Sequence, residues 1–239
     1  MFTLYVVFHN FLVTECYETL SPEEIRHLRF MAVNNRLTKV IPEALAPQVI
    51  HERSLAWYNP FLQHNRFCES SAFFHVWKNP ELLDDYIGFF HYDMLINKTA
   101  IQFLEEQIPL QTEPVLFTNV TLTAWPELNQ VLTISSWNKL VGIYNTMFGT
   151  RHSIMDILED QLPLYHSFVA HRKTFNKMMT FAEKAIPVLF ELIGYDTQHL
   201  PFMIERLHGI FLALQKREGL RWIPLPGITH VDRLKDSWK

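Results

Sequence analysis

Two rhythms of apolar positions alternate along this 239-residue chain. The first is a short continuous run that stops at polar residues. Thr3 to Phe8 ends in His9-Asn10, and Phe30 to Val33 ends in Asn34-Asn35. Such runs predict central strands of a parallel sheet, buried on both faces, that present polar tips to one crevice. Tyr86 to Tyr92, aromatic and β-branched, predicts another buried strand and carries His91 and Asp93 to its C-terminal end. Pro114 to Phe117 and Tyr165 to His171 predict two more.

The second rhythm is helical. Ser21, Pro22, Glu23 and Glu24 supply a cap, a first-turn proline and acids on the positive end of a helix dipole, so a short helix starts there. Ala72, Phe73, Val76 and Trp77 share one helical face before Pro80 stops the helix. Further helices are predicted over Thr99–Gln107, Ser136–Phe148 (stopped by Gly149), Ser153–Gln161 and Lys173–Ile193, the last kinked at Pro187 and ended by Gly194. In Phe202–Lys216, Leu207, Ile210, Phe211 and Leu214 form an apolar stripe. Between Ile41 and Gln63, prolines 42, 47 and 60 break regular structure. This segment reads either as a substrate-contacting loop carrying Glu52, Tyr58, Asn59 and Gln63, or as one in which Trp57-Tyr58 packs on the core. The tail from Trp222 to Asp232 is expected to run back across the sheet. The whole reads as one α/β domain with a mostly parallel central sheet flanked by helices and a helical C-terminal half.

With 48% hydrophobic and 14% aromatic residues, the chain can bury a substantial core. A net charge of -4 offers no basic field, which argues against nucleic acid as the main ligand. The two cysteines, Cys16 and Cys68, fit a reducing compartment and no disulfide framework. Met1 to Val13 lacks a basic n-region and is interrupted by His9 and Asn10, so it reads as a strand rather than a signal peptide. No apolar run is long enough to span a bilayer. The expectation is a cytoplasmic protein with at most peripheral membrane contact, in which the acceptor patterns at Asn97 and Asn119 stay unglycosylated.

The segment from Asn65 to Tyr92 resembles a family of capsular-polysaccharide-type glycosyltransferases with a GT-A-like nucleotide-sugar fold. That family's pattern runs N-x-x-Y-C-E-x-x-A-x-x-x-x-W-K-N and then D-Y-x-G-x-x-H-Y. Asn65, Cys68, Glu69, Ala72, Trp77, Lys78, Asn79, Tyr86, Gly88, His91 and Tyr92 fall into it in order. Where the family continues H-Y-R-R, this chain has His91-Tyr92-Asp93-Met94, so the arginine pair and its phosphate role do not carry over. An aspartate there suits a metal in place of the cationic side chains. The resemblance also covers a histidine after the first strand and an E-R-L in the last long helix, here Glu205-Arg206-Leu207.

The resemblance implies transfer of a hexose or deoxyhexose from a nucleoside-diphosphate sugar, of UDP or GDP type, to a glycan or glycolipid. It divides the chain into a nucleotide-sugar-binding half, residues 1–120, and an acceptor-side half, residues 121–239. His9, Asn10, Asn34, Lys39, Asn65, Glu69, His91 and Tyr92 are the expected donor-binding residues. A departing diphosphate needs its growing charge neutralised, and a hard cation, Mn²⁺ or Mg²⁺, does this through oxygen ligands. Asp93 and His91 are the expected ligands, with His230 a third by analogy with GT-A enzymes that use a C-terminal histidine. Glu205 is preferred to Glu69 as the base that activates the acceptor hydroxyl, which implies inversion. Glu205 with Arg206 reads equally as a buried ion pair, and His166 and His171 read as core or surface residues. Two further classes stay open: a metal-dependent hydrolase or phosphatase using His91-x-Asp93, and a non-catalytic glycan-binding protein. The chain contains no G-x-G-x-x-G, Walker loop, G-x-S-x-G or H-E-x-x-H motif.

Overall fold

The computed structural model describes all residues except 10, 11, 15, 16, 18, 34–40 and 231–239. In chain order its elements are β1 (Phe2–Phe8), α1 (Pro22–Ile25), β2 (Leu28–Ala32), β3 (Val49–His51), α2 (Pro60–His64), α3 (Ser70–Lys78), β4 (Tyr86–His91) and β5 (Met94–Ile96). Then come α4 (Lys98–Gln107), β6 (Val115–Thr118), β7 (Thr121–Thr123), α5 (Ala124–Asn129), α6 (Ile134–Phe148), β8 (Gln161–Pro163), β9 (Phe168–His171) and α7 (Arg172–Leu192). The chain closes with α8 (Leu200–Arg217), β10 (Arg221–Pro224) and β11 (Ile228–His230).

Seven strands form the central sheet in the order β10-β6-β9-β4-β1-β2-β3. All neighbours are parallel except β9, which lies antiparallel between β4 and β6. The apolar runs are explained by burial on both faces, since alternate residues of one strand enter opposite cores. Tyr5 and Val7 of β1, Ile87 and Phe89 of β4, and Phe168 and Ala170 of β9 join the core under α3, α6, α7 and α8. Leu4, Val6 and Phe8, Tyr86 and Phe90, and Val169 join the core closed by α4. Gly88 sits where these packings converge: a Cβ there would lie 2.7 Å from Leu4 Cδ2 and 2.9 Å from Val169 Cγ2.

Local signals match the sequence closely at several points. Ser21 and Glu24 form a reciprocal capping box on α1. Gly149, at φ 69, ends α6, and α7 runs unbroken through Pro187. Two expectations are corrected. Ser153 caps only a single 3-10 turn, Ile154–Ile157, because Gln161–Pro163 is needed as β8 to pair with β7. The β9 strand begins at Phe168; Tyr165 and His166 instead adopt left-handed backbone, φ 56 and 45. The apolar stripe expected in the last long helix is found in α8, where Met203–Gln215 is buried throughout, which makes it a central helix. Of the two readings of the 41–63 segment, the structure bears out packing of its aromatic pair, and the segment also contributes β3. Trp57 and Tyr58 lie on His75, ring centroids 5.6 and 5.2 Å away, while Glu52 Oε2 lies 3.0 Å from His75 Nδ1 and accepts the Ser71 hydroxyl at 2.9 Å.

Because no free space receives a methyl group at Gly88, Gly88→Ala should destabilise the fold by about 1–3 kcal/mol. The expected result is a lower urea midpoint at unchanged slope. An unchanged midpoint would show that Leu4 and Val169 can yield.

Candidate functional site

A cleft of about 600 Å³ opens at the C-terminal ends of β1 and β4 and is walled by α5 and the first half of α8. Register places it there: Val7 of β1 pairs with His91 of β4, so both parallel strands end at one level. This is the edge where open α/β sheets hold ligands. Glu69, His91, Tyr92, Asp93, Glu205 and His230 all line the cleft.

On the β1 side, His9 Nε2 lies 2.7 Å from Glu69 Oε1. Burial alone would raise the Glu69 carboxyl's pKa, but the hydrogen bond from His9 and the charges of His91 and His9 hold it well below the carboxylate range. Glu69 is therefore an acceptor, and the His9 Nε2–H donates. Burial opposes charge on His9, yet the Glu69 bond and charge outweigh it and raise the imidazole pKa above 6.5. Glu69 stands at the entry to α3, after a loop in which Arg66 and Cys68 take left-handed backbone, φ 59 and 50. Such conformations cost L-residues energy and cluster at functional sites.

On the β4 side, residues 137 apart in sequence meet. The β11 strand pairs antiparallel with β5, setting His230 beside Met94, and His230 Nε2 lies 3.2 Å from Asp93 Oδ2. Gly227, at φ 73, lets β11 dock on the start of α4, where a Cβ would sit 2.5 Å from the Ala100 backbone nitrogen. Tyr165 stacks on His230 at 5.8 Å. Asp93 lies beyond the strand, in the turn between β4 and β5, so the reading that places it two along a regular strand from His91 is corrected. Asp93 Oδ1 and His91 Nε2 are buried with no protein partner. An unpaired carboxylate oxygen and an unpaired imidazole nitrogen are donor types a divalent cation takes, while His230 Nε2 is engaged by Asp93 Oδ2.

The far wall is an ion-pair chain. Arg206 bonds Glu205 Oε2 at 3.1 Å and Glu127 Oε2 at 2.6 Å, and Glu205 Oε1 accepts the Tyr165 N–H. Burial raises the Glu205 pKa above the usual carboxylate value, against the charges of His91 and Arg206. Beneath the floor, Phe73 packs against His166 at 4.4 Å and His208 at 5.1 Å, and neither imidazole has a protein hydrogen-bond partner. Burial, reinforced at His166 by its imidazole neighbours, keeps both uncharged and lowers His208 to about 3.

Of the residues singled out from sequence, Glu69, His91, Tyr92, Asp93, Glu205 and His230 share the cleft, and His9 stands behind Glu69. Asn65 does not line it; its side-chain amide bonds the Phe61 carbonyl of α2 at 2.9 Å. Asn10, Asn34 and Lys39 lie outside the described residues. Sequence reasoning missed Glu127 and Phe202 as lining residues, and no local pattern marks either. The buried Glu205–Arg206 ion pair offered by the sequence is present, with Glu127 as a second partner of the guanidinium.

No protein-family model matches the chain, and no curated protein matches it. Among solved structures, the chain is similar to the WbbM bifunctional glycosyltransferase in its apo form, with TM-score 0.63 and 15% identity over 97% of this chain. It spans 45% of that protein's length. The similarity shows a shared fold, the mostly parallel helix-flanked sheet of the GT-A-like class. Mouse xyloside xylosyltransferase 1, apo form, aligns over 93% of this chain and 84% of its own at 10% identity and TM-score 0.39. Core-mannan synthase A from Aspergillus fumigatus, in a Mn/GDP form, aligns over 93% and 73% at 10% identity and TM-score 0.37. At those scores neither carries an argument.

Two titrations test this electrostatic picture. His9 should titrate above 6.5 by NMR in the wild type and lower in Glu69→Gln, where only the charge of Glu52 still opposes burial; equal values would remove the coupling. His166 and His208 bind protons more readily unfolded than folded. Their contribution is therefore complete above about pH 6.5 and is lost progressively as pH falls toward about 3. His208→Leu should flatten urea stability across that window, and an unchanged slope would contradict the assignment.

Proposed function

We propose that the chain is a glycosyltransferase that moves a hexose or deoxyhexose from a nucleoside-diphosphate sugar to a glycan or glycolipid acceptor with the help of a divalent cation. The observation that carries this is the meeting of Asp93 and His230 at 3.2 Å in a cleft at the C-terminal edge of the parallel strands. The likeness of fold to a bifunctional glycosyltransferase, over less than half of that protein, supports it.

Charge makes the cation necessary. Among the described lining residues, Glu69, Asp93 and Glu127 face a single guanidinium, Arg206, already shared between Glu127 and Glu205. A diphosphate entering such a cleft would be repelled. Asp93, His91 and His230 are the residues that would hold Mn²⁺ or Mg²⁺, and the bound ion would supply charge neutralisation for the departing diphosphate. Tyr92, at the end of β4, and the His9–Glu69 pair, at the end of β1, are assigned to the donor. Glu205 is assigned as the base. Its two known bonds leave lone-pair positions on the carboxylate, and its raised pKa suits proton abstraction near neutral pH. A base acting directly on the acceptor hydroxyl gives inversion at the anomeric carbon.

Thermal shift with a panel of nucleoside diphosphates, with and without Mn²⁺, tests the assignment, because a ligand specific to the native state raises Tm. UDP or GDP should raise Tm only with the metal in the wild type and not at all in Asp93→Ala. Binding that ignores metal and survives the mutation would remove Asp93 from the donor site. Absence of any nucleotide binding would sink the transferase and favour the hydrolase or glycan-binding readings.

A further inference from the structure

His9, Cys68 and Glu69 bring together three different metal-binding atoms. An imidazole nitrogen, a thiol sulfur and a carboxylate oxygen all lie within 4.8 Å of one another, the one such group of three among the described residues. They come from two separate parts of the chain: His9 follows β1, and Cys68-Glu69 lead into α3. The left-handed backbone of Cys68 holds its thiol in this group against local preference.

We propose that His9, Cys68 and Glu69 bind one zinc ion, at a site separate from the Asp93–His230 pair. The donor set decides the metal. Nitrogen, sulfur and oxygen are the ligands zinc takes in tetrahedral sites, whereas Mg²⁺ and Mn²⁺ favour oxygen-rich shells and gain little from a thiolate. On binding, Zn²⁺ enters, the Cys68 thiol proton and the proton on the ligating His9 nitrogen leave to solvent, and imidazole, thiolate and carboxylate become the ligands. The ion would replace the 2.7 Å His9–Glu69 contact with a bridge from the end of β1 to α3. Three protein ligands leave the fourth tetrahedral position to a water or a ligand oxygen, and Glu69 already lines the cleft.

The test uses the full chain, stripped with chelator, reloaded with Zn²⁺, gel-filtered and analysed for metal content, with parallel loading by Co²⁺ read by absorbance. Wild type and Asp93→Asn should each retain one zinc and show a thiolate-to-cobalt charge-transfer band in the near ultraviolet. Cys68→Ser, confirmed folded by circular dichroism, should retain no zinc and lack the band. If Cys68→Ser does not fold, the cobalt spectrum of Cys16→Ser decides, since the band requires a sulfur ligand and Cys68 is then the one thiol left in the chain. A folded wild type that retains no zinc, zinc retained equally by Cys68→Ser, or a cobalt spectrum without the sulfur band would each overturn the proposal. None of these readouts requires nucleotide binding, so the site stands or fails independently of the transferase assignment.

Discussion

Burial of the central sheet on both faces leaves polar side chains in its strands nowhere to go except the strand ends. Tyr5, Val7, Ile87 and Phe89 fill one core, and Leu4, Val6, Phe8 and Phe90 fill the other. An unpaired polar group along these runs would lose its hydration without compensation. The chain therefore places His9 just beyond β1, and His91 and Asp93 at and just beyond the end of β4. Parallel pairing with Val7 opposite His91 brings those ends to one level. The antiparallel β9 completes the arrangement. The left-handed turn that precedes it presents the Tyr165 N–H to Glu205 and drops His166 into the cleft floor.

The cleft built in this way is acidic and stands over buried imidazoles. Four carboxylates, Glu69, Asp93, Glu127 and Glu205, face it, and the guanidinium among its described lining residues is held by the last two. The imidazoles below are kept neutral by burial, so they add no positive charge near neutral pH. The proposed cation answers the cleft's negative charge, and Asp93 beside His230 is where the chain leaves a buried carboxylate oxygen unspent. The His9–Glu69 pair differs in kind, because its charges already satisfy each other.

Much of the fold was legible in the residues. Continuous runs such as Thr3–Phe8 announced strands buried on both sides, and Ser21, Gly149 and Pro80 marked helix ends through local chemistry that tertiary context did not overrule. Local rules failed where long-range pairing decides. Gln161–Pro163 carries helix-like neighbours but is claimed by β7, and Tyr165-His166 looks like strand until the turn forced on it by Glu205 and the floor is known. Asp93 could be singled out by its place at a strand tip. Its meeting with His230 depends on β11 pairing with β5 over more than a hundred residues, which no local pattern encodes. Glu127 was invisible for the same reason, since only Arg206 gives it a role.

Anomalous diffraction from crystals grown with Mn²⁺ and the nucleoside diphosphate that binds best addresses the central claim most directly. The account predicts a manganese peak between Asp93 and His230, with the diphosphate on its cleft side and the nucleoside extending toward Glu69 and His9. A manganese peak elsewhere, or nucleotide density outside this cleft, would contradict it.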